Sequence, residues 1–308
     1  SEYTPENVES ESFIVLSGHM DTVFQVGILK EHAFKITDGH FAKGAGIADM
    51  KGGLVIALYT LKALIHIGYK KHPVKMLIIG DEETLHRYSD TKEIMLKELK
   101  GAAMMLNFEP AESPDEITIS RKGGGMVKLE VQGIGAHSGS GATIGRSAIV
   151  ELSHKIIELE AKTDIQRGKL INCGLIEGGV SANTIPAYAK ANFAVRFTDQ
   201  ETKNEIIKDF EETVRHSVIE NTTAQFKVEG LLDAMEFTPE VEELAEHFIK
   251  TGIDCGYGKL TKYKSEGASD ASLGVIAGVP TLCGMGIIGN GAHTIDESAD
   301  LDSLVSRS

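Results

Sequence analysis

Two short apolar runs, Phe13–Ser17 and Val74–Ile79, read as buried strands, and each stops at a glycine that is followed by residues able to do chemistry. After Gly18 come His19, Met20 and Asp21; after Gly80 come Asp81, Glu82 and Glu83. Helical periodicity at Leu54–Ile67 and Thr91–Leu99, with a third strand at Ala102–Phe108, completes an alternation of strands and helices that predicts a largely parallel sheet. In such sheets sites form beyond the carboxyl ends of the strands, which is where His19, Glu82, Glu83 and Glu109 fall.

From about Lys122 the order becomes strand, helix, two strands, helix, strand: Met126–Gln132, Arg146–Lys162, Leu170–Glu177, Tyr188–Phe197, Gln200–Val218 and Ala224–Glu229. That is the split βαβ, ferredoxin-like order. Helical signals at Pro239–Lys250 and Asp270–Ala277, then a short strand at Pro280–Gly284, resemble the opening layer again. The expected architecture is α/β: a discontinuous catalytic domain, 1–121 and 232–308, with a lid inserted at 122–231.

A chain of 308 residues has room for two domains, and 42% hydrophobic with 25% charged residues is ordinary for a soluble globular protein. No stretch approaches the length of a membrane span. A formal charge of -14 without a basic run argues against nucleic acid as a partner, and acids that hold cations would carry part of that charge. Three scattered cysteines, Cys173, Cys255 and Cys283, offer neither a disulfide framework nor a zinc ribbon, and Ser1–Glu11 has no signal-peptide pattern, so a cytoplasmic setting is expected.

The candidate chemistry lies in a few places. Residues two apart in a strand share a face, so Asp21 could accept the second ring N–H of His19 and hold it as a metal ligand; a capped strand end is the plainer alternative. Gly44–Gly53 sets one acid, Asp49, among glycines, where neither the dinucleotide nor the P-loop pattern is present and a metal bridge suits better. Adjacent acids at Glu82 and Glu83 are either a solvated loop or a pair that divides labour, one on metal and one accepting a proton. Glu109 precedes Pro110, and His293 sits in a glycine-rich stretch. His32, His40, His66, His72, His86, His154, His216 and His247 show no partner spacing.

Taken together, His19–Thr22, Gly46–Gly53 with Asp49, Asp81–Glu83, Glu109–Pro110, Gly135–Gly139 with His137, Asn183–Pro186, Ser269–Asp270 and His293 resemble the aminoacylase and glutamate carboxypeptidase family of two-zinc peptidases, in order and spacing, from Phe13 to about Asp296. The resemblance implies two divalent ions per chain, zinc first with manganese or cobalt as alternatives. Asp49 would bridge them, with His19 and Glu109 completing one site and Glu83 and His293 the other. Glu82 would take a proton from an activated water and return it to the leaving nitrogen, with Asp21 behind His19. His137 would stabilise the oxyanion, in relatives from the partner subunit, although a polar loop histidine is the plain rival. Asn183 and Arg196 match substrate contacts, Arg196 with a structural salt bridge as its rival, and Gly267 could line the pocket through its backbone. The substrate would be a small N-acyl amino acid or short peptide, and the protein a homodimer through the lid edge.

Two stretches depart from the family pattern. Leu231-Leu232-Asp233-Ala234-Met235 stands where many relatives have Arg-Pro-Pro-Met, which weakens any case for a C-terminal glutamate as substrate. Thr84-Leu85-His86-Arg87-Tyr88 replaces a small, glycine-containing turn. Relatives also carry a further region before the histidine strand and a long closing helix, so the sequence is expected to be part of a longer protein or a minimal version. A catalytically silent relative and an amidase acting on a carbamoyl or acyl nitrogen stand beside the peptidase reading.

Overall fold

A computed structural model describes residues 2–111 and 113–308. Two compact units form, one from Ser1–Arg121 with Met235–Ser308 and the other from Lys122–Ala234.

The first unit is built on a sheet with the order Glu2–Tyr3, Val74–Ile79, Phe13–His19, Ala102–Asn107, Thr281–Leu282, parallel except for the Glu2–Tyr3 edge. Both faces are covered, as the unbroken apolar runs require. Val15 packs with Met95, Leu99, Met105 and Leu273, whereas its neighbour Leu16 packs on the opposite side with Met50, Ile56, Ala57, Val241 and Ala245. His19 is in register with Ile79, and Ser17 with Asn107, so the three strands end at one level. A parallel pair, Glu116–Arg121 with Thr261–Ser265, and a small sheet joining Phe41–Lys43 to Ser298–Asp300 were not foreseen from the sequence.

The second unit runs strand, helix, two strands, helix, strand, with the antiparallel order Leu170–Gly178, Tyr188–Phe197, Gly123–Gln132, Thr223–Leu232. One face buries Val127, Leu129, Val131, Phe193, Val195 and Phe197 against Leu152 and Leu159 of the helix Ala148–Glu160 and Ile206 and Phe210 of Gln200–Arg215. Phe193 and Phe210 meet edge-on at 5.2 Å, a contact that contributes about 1 kcal/mol beyond its area. Strict alternation puts Lys128, Glu130 and Lys190 on the other face. Asp199 caps the second helix, accepting the Thr202 N–H at 2.8 Å while the Thr202 hydroxyl accepts the Asp199 N–H. Leu231 and Leu232, read from the sequence as the return to the first unit, still pair with Gly125 and Gly124. Next to them Asp233 is buried and ion-paired with Lys203.

Candidate metal centre and active site

Loops beyond the strand ends bring seven of the expected residues together: His19, Asp21, Asp49, Glu82, Glu83, Glu109 and His293. His19 closes its strand at 2% exposure. A Cβ on Gly18 would stand 2.2 Å from Met50 Cε, so only glycine lets the Met50 side chain pass under the histidine. The His19 ring is oriented from behind by Asp21, whose carboxylate Oδ1 is 3.4 Å and backbone oxygen 3.3 Å from Nδ1. The other Asp21 oxygen accepts the Glu83 N–H at 3.0 Å, which ties the strand end to the acidic turn. His19 Nε2 is left facing Asp49 Oδ1 at 3.0 Å, Glu109 Oε1 at 3.7 Å and Glu82 Oε2 at 4.0 Å.

Asp49 sits in the tight turn Ile47–Lys51, entered through Gly46 at a positive φ of 73°, and its peptide to Met50 is cis. While Oδ1 faces His19, Oδ2 faces His293 Nε2 at 3.0 Å, and the same nitrogen is 3.4 Å from Glu83 Oε2. Two donor sets result, His19 with Asp49 and Glu109, and Asp49 with Glu83 and His293. In each set the donor atoms lie within 4.8 Å of one another.

Among the described residues, no lysine or arginine pairs directly with Asp49, Glu82, Glu83 or Glu109. The electrostatics follow from that excess. Burial disfavours charge on His19, yet Asp21, Asp49, Glu109 and Glu82 push its pKa up to about 12. Asp49 and Glu83 raise His293 to about 10. Burial, with Glu109 and Asp270 nearby, holds Glu82 well above the usual carboxylate range, and burial beside Asp49 raises Glu109. Burial works against ionisation of Asp49, but the two histidines hold it below the usual range. A pocket that draws protons this strongly onto imidazoles fits divalent cations, which supply the same positive charge to nitrogen and carboxylate donors.

His137, Asn183 and Arg196 belong to the second unit. His137 pairs with Thr184 across a two-residue ladder, its Nδ1 accepts the N–H groups of Gly139 (3.2 Å) and Ser140 (3.3 Å), and the Asn183 carbonyl accepts the Ser138 N–H. Arg196 is exposed, donates to the Val195 carbonyl and lies over Gly124. Gly267, in the first unit, gives its carbonyl to Arg121 Nη1 at 3.2 Å.

Three residues around the centre were missed. Glu297, 1% exposed, accepts the N–H groups of Gly46 (2.7 Å), Ala48 (2.8 Å) and Asp49 (2.9 Å), so a remote carboxylate shapes the turn that carries the central acid. The pairing of Ser298 with Lys43 delivers it, and nothing local in the sequence marks it. Arg121, buried, donates to Cys283 Sγ and Gly267 O, and its charge offsets part of the upward shift that burial and Asp49 give Glu109. His86, without partner spacing in the sequence, lies between Asp81 (3.1 Å) and Asp270 (2.7 Å).

Known proteins resemble this chain in sequence and in fold. The model of peptidase family M20/M25/M40 matches residues 15–308. Carboxypeptidase G2 of Pseudomonas sp. (strain RS-16) is 26% identical over 91% of this chain and 68% of its own length. Succinyl-diaminopimelate desuccinylase of Rhodopseudomonas palustris (strain BisA53) is 24% identical over 94% and 78%. In fold the chain resembles aminopeptidase PepT of Bacillus cereus, with a TM-score of 0.76 at 20% identity over 99% of this chain and 80% of that one. It also resembles the metallo-carboxypeptidase Sso-CP2 of Sulfolobus solfataricus, with a TM-score of 0.74 at 16% identity over 100% and 84%. The chain is a member of peptidase family M20/M25/M40, an enzyme of the metal-dependent kind that hydrolyses peptide and acyl-amide bonds.

Proposed function

We propose that the enzyme cleaves the amide bond of a small N-acyl amino acid or short peptide, with two divalent cations at the two donor sets sharing Asp49 and with Glu82 as general base and then acid. The observation that carries this reading is the pair of equal 3.0 Å approaches of His19 and His293 to opposite oxygens of Asp49. Zinc suits the donors, as manganese or cobalt also would; held by His19, Asp49, Glu83, Glu109 and His293, such cations would supply Lewis acidity towards the scissile carbonyl and a water.

The chain's own groups do the rest. Asp21 holds the His19 ring by Nδ1 and leaves Nε2 for the metal side. Glu82, with a raised proton affinity, accepts a proton from water at its carboxylate and passes it to the leaving nitrogen. Because His137 Nδ1 accepts two backbone N–H groups, its proton resides on Nε2, which makes the exposed ring a donor suited to an oxyanion, in this subunit or its partner's site. Asn183, Arg196 and Gly267 are proposed to contact substrate. The inserted unit serves as a ferredoxin-like lid and as the dimerisation element of a homodimer, spliced into the discontinuous catalytic domain. The carboxypeptidase and desuccinylase relatives support N-acyl amino acids as the substrate class.

Replacement of Glu82 by glutamine tests this reading. The E82Q chain is expected to retain two ions in elemental analysis while kcat on acyl amino acids or dipeptides falls about 10²- to 10⁴-fold. Undiminished turnover in E82Q would sink the assignment.

A further inference from the structure

The turn after Glu83 is unusually built. Leu85 and His86 are consecutive non-glycine residues with φ of 58° and 53°, a left-handed conformation that costs each of them energy. The turn is bound back onto the acids: the Glu82 carbonyl accepts the Leu85 N–H at 2.7 Å, and the Asp81 carbonyl accepts the His86 N–H at 3.1 Å and the Thr84 hydroxyl at 3.0 Å. The outcome is the placement of one ring. His86 Nδ1 stands 3.1 Å from Asp81 Oδ1, and Nε2 stands 2.7 Å from Asp270 Oδ1. Both carboxylates only accept, so the ring carries a proton on each nitrogen.

Its two partners flank the base. Asp81 adjoins Glu82 in sequence and is fixed in turn by the Ser89 and Thr91 hydroxyls. Asp270, 2% exposed, comes from the far segment Ser269–Asp270; its negative charge reaches Glu82, and its Oδ2 is buried without a hydrogen-bond partner. Among the described residues the Glu82 carboxylate has no tether of that kind, and it stands 4.0 Å from His19 Nε2.

We propose that His86 is a positioning residue for Glu82: by bridging Asp81 to Asp270 it pins the acidic turn to the Ser269–Asp270 segment and fixes where the base stands beside His19. This rests on Glu82 being the base. It also gives the strained turn a purpose, since a relaxed one would not carry the ring to Asp270. A part-buried bridge of two charge-assisted bonds is stiff, and a base must be held within a few tenths of an ångström to act.

The test is His86→Ala in the whole metal-loaded protein. We expect kcat to fall about 10- to 100-fold with two ions still bound and KM little changed. Added imidazole, entering the space left by the ring, should recover part of the loss, which a merely structural role would not allow. Unchanged kcat, or a loss matched by lost metal, overturns the proposal. Should the alanine variant not fold, His86→Gln carries the same test, with the same split between kcat and metal content. If the unmodified, metal-loaded enzyme cleaves no amide, the reading of function fails by itself. A crystal structure of the variant then decides: Glu82 displaced from His19 supports the bridge, and Glu82 in place overturns it.

Discussion

In the inserted unit, Lys155 and Glu151 are 1% and 0% exposed and pair at 3.0 Å; the ammonium also donates to the carbonyls of Thr213 and His216, and Glu151 accepts the Ile219 N–H. Around Asp49 in the other unit, Glu82, Glu83 and Glu109 converge on two imidazoles, and among the described residues no ammonium or guanidinium pairs with them. The first cluster is neutral, its two charges paired with each other, and it locks one helix to the end of another. The second gathers more carboxylates than imidazoles, and on the proposed reading divalent cations supply the difference. The two clusters therefore differ in charge sum and in partners, and also in exposure, since the His293 side chain of the second is 55% exposed.

The largest effect is expected when the buried Lys155–Glu151 pair is halved. Lys155→Met leaves Glu151 buried and unpaired, and it should cost about 3–5 kcal/mol in denaturant unfolding, whereas pairing it with Glu151→Leu should recover most of the loss. A single variant as stable as the parent would show that water reaches the pair. Next comes Glu297→Gln, which loses two-oxygen acceptance from the Asp49 turn. Metal affinity should drop about 10- to 100-fold in a competition titration with the fold retained, and unaltered affinity would free Glu297 of that role. The smallest effect has the opposite sign. Glu109→Gln removes one acid from a crowd of acids, so the metal-free protein should gain about 0.5–2 kcal/mol in thermal unfolding while binding its ions less well. A metal-free E109Q less stable than its parent would mean that the acids are not in conflict there.

Local pattern made the parallel sheet legible, and the donor sets became legible through the resemblance of their motifs to the two-zinc peptidases. Val74–Ile79 and Tyr188–Phe197 have the bounds expected of them, one a continuous apolar run and the other a strict alternation. The pair Glu116–Arg121 and Thr261–Ser265 escaped notice because each is short and rich in polar residues, and each becomes a strand only by meeting the other. The same holds at the centre. His19, Asp49, Glu82, Glu83, Glu109 and His293 lie in motifs whose spacing can be read, but Glu297 acts on amides 248 to 251 positions away and His86 on an acid 184 positions away. Periodicity carries no record of such distances. Leu85 and His86 in left-handed conformations were equally hidden, since neither residue type advertises one.

The clamp of Glu297 on the Asp49 turn has a consequence for biosynthesis. The segment that brings His293 to the second donor set also brings the carboxylate that shapes the central acid. A chain still emerging from the ribosome can form the His19 strand and the acidic turn early, but it has neither His293 nor the clamp until this distant segment has been made. On the proposed reading, both donor sets are therefore complete only once residues 293–297 have been made.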